Sequence, residues 1–157
     1  MGTTERLSQI VGFYQREARK CSRGGAYFSS CVMQVAALEA SLQGVCTLYS
    51  REVKKTSVYQ RKRFRTKRNR VLEFSLNELI KIADERNWFP AKRFTWAGKR
   101  ATIAGFAHEI REVRNYVHPG KWAREHPSTT RPTKGWDRVV SEVCATANSW
   151  LLHKMGY

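Results

Sequence analysis

Acidic residues are scarce in this chain of 157 residues, where 13 Asp and Glu stand against 29 Lys and Arg for a formal net charge of +16. A field of that sign favours anionic partners, and nucleic acid is the first expectation. Long apolar runs are lacking too. No stretch reaches the roughly 20 uninterrupted apolar residues of a spanning helix, so no membrane partner is expected. The opening segment Met1 to Ile10 is polar and lacks the apolar h-region of a signal peptide, which makes the cytoplasm the expected compartment. Metal-ligand spacings are missing as well: no Cys-x-x-Cys or His-x-x-x-His pair occurs, and a structural metal is not expected. Cys21, Cys31, Cys46 and Cys144 stand among apolar positions and read as reduced core residues.

What the chain does have is helical periodicity. A chain of this length buries roughly two-thirds of the surface its unfolded form exposes, so one core is the default. Apolar residues recur at helical spacing in five segments, and no run of period-two alternation stands between turn residues. The expected fold is all-α: one domain over residues 1–157, an up-down bundle of about five helices with a basic arm between the second and third. In the first helix Leu7, Ile10, Val11, Tyr14, Ala18 and Cys21 share a face, and Arg23-Gly24-Gly25 supplies the stop. Tyr27, Cys31, Val35, Leu38, Leu42, Val45 and Tyr49 form the seam of a long central helix. Gly44 within it costs about 1 kcal/mol against Ala, which a close helix crossing would explain.

From Arg51 to Arg70 the period fails, and ten of twenty residues are Lys or Arg with Glu52 the only acid. Ser75-x-x-Glu78 then has the spacing of a capping box, with Leu76, Leu79, Ile80 and Ala83 facing inward and a stop near Trp88 to Pro90. The fourth helix is expected from about Lys99 to His118, seamed by Ile103, Phe106, Ile110, Val113 and Val117 and ended by Pro119-Gly120. Trp136, Val139, Val140, Val143, Cys144, Ala147, Trp150 and Leu151 define the last.

At 100° per residue Arg111, Arg114, Asn115 and His118 fall within about a third of the fourth helix's circumference, beside its apolar seam. Two arginines one turn apart repel by a few tenths of a kcal/mol, so the pair suits an anion such as phosphate. His118 in the last turn is drawn toward imidazolium by the helix end, by up to about 2 kcal/mol, and away from it by the arginines. That balance suits proton transfer near neutrality. On spacing alone, the commoner role of such a histidine is to cap helix carbonyls. Glu112 points about 100° from Arg111 and is expected in solvent. His108 on the same helix reads as structural, with a place at the border of the stripe as the alternative, and the tryptophans read as packing residues.

In the arm, Tyr59 and Phe64 lie among Arg61, Lys62, Arg63, Arg65, Lys67, Arg68 and Arg70. Phosphate-binding charge beside ring faces suits unpaired nucleic acid, and its alternative is a solvated charge run.

The stretch Ile110-Arg-Glu-Val-Arg-Asn-Tyr-Val-His-Pro-Gly120 resembles the signature of the HEPN superfamily of small helical domains, an arginine followed four to six residues later by histidine. Arg111 has the family spacing to His118, while Arg114 has the Asn neighbour, and either is the motif arginine. The likeness extends to Ala37-Leu38-Glu39-Ala40, to Ser75 through Ala83 and to the closing helix. It implies a metal-independent endoribonuclease that needs no cofactor and takes RNA, acting as a homodimer, as the toxin of a toxin-antitoxin or phage-defence system with an acidic or modifying antitoxin. By that resemblance His118 moves protons, Arg111 or Arg114 neutralises phosphorane charge and Asn115 orients phosphate or His118. The alternative is a non-catalytic HEPN-like module that binds nucleic acid or protein.

Overall fold

The structure is a computed structural model that describes residues 2–63, 71–117, 124 and 133–157, with backbone alone at 62 and 63. Seven α-helices and one two-stranded hairpin make up the described residues, an all-α architecture. Helix α1 (Thr3–Arg23) ends at Gly24, and Gly25 takes φ +76°, a left-handed turn that glycine adopts without strain. Helix α2 (Tyr27–Leu48) follows at once. Two short helices, α3 (Ser50–Val53) and α4 (Ser57–Arg63), precede α5 (Leu76–Glu85). The hairpin of β1 (Phe94–Trp96) and β2 (Lys99–Ala101) leads into α6 (Ala107–Asn115), and α7 (Lys134–Lys154) closes the chain.

Helix α2 is the hub. By length and composition it is apolar enough to cross a membrane, unlike any segment expected from uninterrupted runs. It is packed by α1, α5, α6 and α7, the surroundings of a central bundle helix. Ala37 and Ala40 meet Leu7 and Val11 of α1, while Cys31, Val35, Leu38, Leu42 and Val45 enter the main core. Gly44 does mark a close crossing: a Cβ there would stand 2.7 Å from Met155 Sδ and 3.8 Å from Leu7 Cβ. Cys31, Cys46 and Cys144 are buried free thiols, and Cys21 is half-buried. Burial pushes the Cys31 and Cys46 thiols up to about 12, so both behave as small hydrophobes.

Four expectations need correction. The apolar pattern does not fail from the start of the arm, whose first part is helical in α3 and α4: Val53, Thr56 and Val58 are buried, and Ser57 N donates to both carboxylate oxygens of Glu85 at 3.0 and 3.1 Å. Glu52, the arm's lone acid, pairs with Arg86. Second, the fourth helix does not begin at Lys99. Ala97 and Gly98 both take positive φ (49° and 78°), the signature of a two-residue turn whose twist matches antiparallel strands. Phe94 pairs with Ala101 and Trp96 with Lys99. Third, that helix ends at Asn115, Tyr116 is buried, and Val117 is 51% exposed rather than in the seam. Fourth, Trp150 is 54% exposed, because α7 turns Val140, Val143, Cys144, Ala147 and Leu151 inward.

Candidate functional site

The capping box forms as its spacing requires, with Glu78 N donating to Ser75 Oγ at 3.3 Å and Ser75 N to Glu78 Oε2 at 2.8 Å. It fixes the start of α5, whose Leu79, Ile80 and Ala83 join Ile103, Phe106, Ile110 and Val113 in the core. Those last two residues hold one face of α6 down and leave Arg111, Arg114 and Asn115 beside it.

The two arginines are anchored differently. Arg111 Nη2 donates to Glu112 Oε1 at 3.2 Å and lies 3.1 Å from His108 Nδ1. The Glu112 side chain is 7% exposed and that of Arg111 43%. Glu112 is thus buried under the arginine, not in solvent. Residues of the hairpin and of the first turn of α7 lie around it on that side. Arg114 reaches across to α2, its Nε 3.3 Å from Glu39 Oε2. Glu39 is 15% exposed, and burial pushes its carboxyl above the ordinary carboxylate value against the pull of Arg114. Asn115 is half-buried at the helix end. His118 lies outside the described residues, so the stripe is seen as far as Asn115.

His108, which reads from sequence as a structural histidine, is exposed. It contacts Arg111 and borders a cavity of about 510 Å³ between the hairpin, α6 and the first turn of α7. Three aromatic side chains form its lining on one side: Trp96 and Trp136 meet edge to face at 6.0 Å, and Tyr116 stacks on Trp136 at 5.6 Å. Lys99, His108, Glu109 and Glu112 supply the polar part. Lys99 Nζ is 3.0 Å from Glu109 Oε1 and 2.9 Å from Gly105 O. Partial burial raises the Glu109 carboxyl's pKa, but its own backbone N–H, Lys99 and His108 together hold it below its usual range. Among the described residues no group of three His, Cys, Asp or Glu converges as a metal ion requires.

In the arm, Arg61 is exposed and its Nε donates to Ser57 O at 3.3 Å. Lys62 and Arg63 end α4, while Phe64, Arg65, Lys67, Arg68 and Arg70 lie outside the described residues. Tyr59 packs edge-on to Phe74 at 6.5 Å against the core, a core role rather than the expected platform for bases.

The sequence does not single out the carboxylates that hold the arginines, although it carries one signal. Glu39 is the only charged residue in α2, and a lone acid in an apolar helix requires a cation. The cavity has no comparable signal, since its walls come from three separate segments. Comparison of the chain with protein-family models, with curated proteins and with solved structures gave no match.

Proposed function

We propose that the chain is a metal-independent endoribonuclease of HEPN type, in which the end of α6 is one half of a site completed by a second copy. The observation that carries this reading is the anchoring of Arg111 and Arg114 by carboxylates, while both arginine side chains stay about half exposed (43% and 53%). An arginine held by a carboxylate is pre-oriented, and a planar fork with remaining N–H donors suits a phosphate oxygen. His118 follows within about one helical turn of Arg114 in sequence. In this reading His118 moves the proton between the 2′-hydroxyl and the leaving oxygen. An arginine stabilises charge that grows only in the transition state, where pre-oriented donors are most effective. An acidic or modifying antitoxin would restrain such an enzyme.

The test is incubation of the protein with single-stranded RNA in EDTA. Cyclic-phosphate ends are expected, with their formation falling by at least about 100-fold in His118→Ala. Arg111→Ala and Arg114→Ala made separately identify the motif arginine. Metal-dependent cleavage, or none, overturns the reading.

A second reading, a non-catalytic nucleic-acid-binding module, is favoured by one specific feature. Each arginine already has a carboxylate counter-charge, which lowers its pull on a developing oxyanion while leaving phosphate contact intact. It predicts RNA binding that His118→Ala leaves unchanged.

A further inference from the structure

We infer that the last two turns of α1 and the first two turns of α7 form one basic surface that carries a single strand of RNA away from the end of α6. This inference deepens the RNA-directed reading above and rests on it for the ligand class.

Arg16, Arg19, Lys20 and Arg23 recur at three and four residues in α1 and fall within about 100° of its circumference. All four are exposed. Like charges at this spacing destabilise a helix, and the only acid in the stretch, Glu17, pairs with Lys20 at 2.8 Å. The negative pole of the helix accounts for cations in the last turn, Lys20 and Arg23, but not for Arg16 and Arg19 before them. On α7 the order is reversed. Lys134 opens the helix, where the positive pole disfavours a cation, and Arg138 follows one turn later, both exposed. A bound polyanion relieves repulsion that the free chain retains.

Only the fold joins the two sets. Ser22 Oγ donates to Asp137 Oδ2 at 2.6 Å, while Leu7 and Met155 both approach Gly44 at the other end, so α1 and α7 run antiparallel. Arg19 and Arg23 stand about 60° and 100° round α1 from Ser22, and Lys134 and Arg138 stand at the same angles round α7 from Asp137. In an antiparallel pair, equal rotations of one sense from the facing residues reach the same side of the seam. The four cations therefore flank one seam, away from the buried Val11, Ala18, Val140 and Cys144. The Asp137 carboxylate is itself buried, and Glu142, the next acid along α7, is taken up by Lys92 at 3.2 Å.

The composition of the surface selects the partner. A membrane-binding helix needs large apolar side chains opposite its cations, and a protein interface needs an apolar centre. Residues 16–23 and 133–142 expose no large apolar side chain. Such a surface suits a phosphate backbone. Trp136, on the far side of α7's first turn from Lys134, stacks on Tyr116 just past the end of α6. The surface and the candidate site thus lie on two sides of one helical turn, about 10 Å across.

The experiment is filter binding of oligouridine strands of about 16 and about 4 nucleotides over a salt series, in a His118→Ala background that keeps the strand intact. Replacing Arg19, Arg23, Lys134 and Arg138 with Gln is expected to weaken binding of the longer strand at least about tenfold at low salt and to lower its salt slope by about 0.7 for each phosphate no longer neutralised. The shorter strand should bind as before. The α1 pair and the α7 pair, made separately, should each give part of the loss, with circular dichroism showing intact helices. A charge-matched variant with Gln at the exposed Arg6, Lys81, Arg93 and Arg100 should leave the difference between strands in place. An unchanged longer strand, an equal loss for both strands, or an equal loss from the charge-matched variant overturns the inference. So does binding to phosphatidylserine vesicles that the four substitutions abolish and RNA does not displace. Loss of long-strand binding in the variant, with no RNA cleavage by the unmodified chain, sinks the nuclease reading alone. Cleavage by the unmodified chain, with long-strand binding untouched by the four substitutions, sinks the surface alone.

Discussion

Glu39 shows how one residue couples a core helix to the candidate site. Burial raises its carboxyl above the ordinary value of 4.5, and Arg114 opposes that shift only in part. The folded state therefore holds a proton at Glu39 more tightly than the unfolded chain does. Where the folded state binds more protons, stability falls as pH rises, here across the interval from 4.5 up to the raised folded value. Glu39→Gln should flatten that part of the stability curve and leave the protein slightly more stable at neutral pH. Arg114→Ala should steepen it and cost roughly 1 kcal/mol, since the arginine is half exposed. Urea midpoints measured across the acid range check both signs, and a less stable Glu39→Gln at neutral pH shows pairing to outweigh burial. The sequence of helix α2 contains this residue as its only charge. Its partner is not evident there, because Arg114 lies 75 positions along the chain and only the packing of α6 on α2 brings them together.

Among the elements, the junction between β2 and α6 is the least tolerant. A Cβ at Gly105 would stand 2.7 Å from Ala101 Cβ, and neither atom can rotate away. Gly105→Ala is expected to cost about 1–3 kcal/mol through backbone shift. Gly44→Ala meets an equally short contact, but with the flexible end of Met155, and a gain of about 1 kcal/mol in helix propensity offsets the crowding. Ser75→Ala should cost about 1 kcal/mol by removing the cap of α5. Denaturant unfolding of the three variants tests the ranking. The five main helices are legible from their seams because a core-facing stripe repeats at about 3.6 residues whatever its partner is. The hairpin is not, since three residues a side are too few to establish a period of two. Its Phe94-Thr95-Trp96 alternation, buried-exposed-buried, is visible only once the turn at Ala97 and Gly98 is known.

For the whole molecule, +16 of formal charge should dominate the affinity for nucleic acid. The arm begins on a fixed base, where α4 meets α5 and where Glu52 and Glu85 hold its first turns. Replacing Arg65, Lys67, Arg68 and Arg70 with Gln should weaken binding to any single strand and reduce the salt slope by about 0.7 for each phosphate no longer neutralised. Filter binding over a salt series measures it, and an unchanged slope removes the arm from the interface.

Composition and periodicity alone determined the helical class, the charge and the candidate residues Arg111, Arg114 and Asn115, because each depends on residue type and on spacing within one segment. The pairing of Arg114 with Glu39, the burial of Glu112 beneath Arg111 and the aromatic cavity beside His108 came from tertiary structure. They join atoms of different elements, and no local pattern records which faces of those elements will meet.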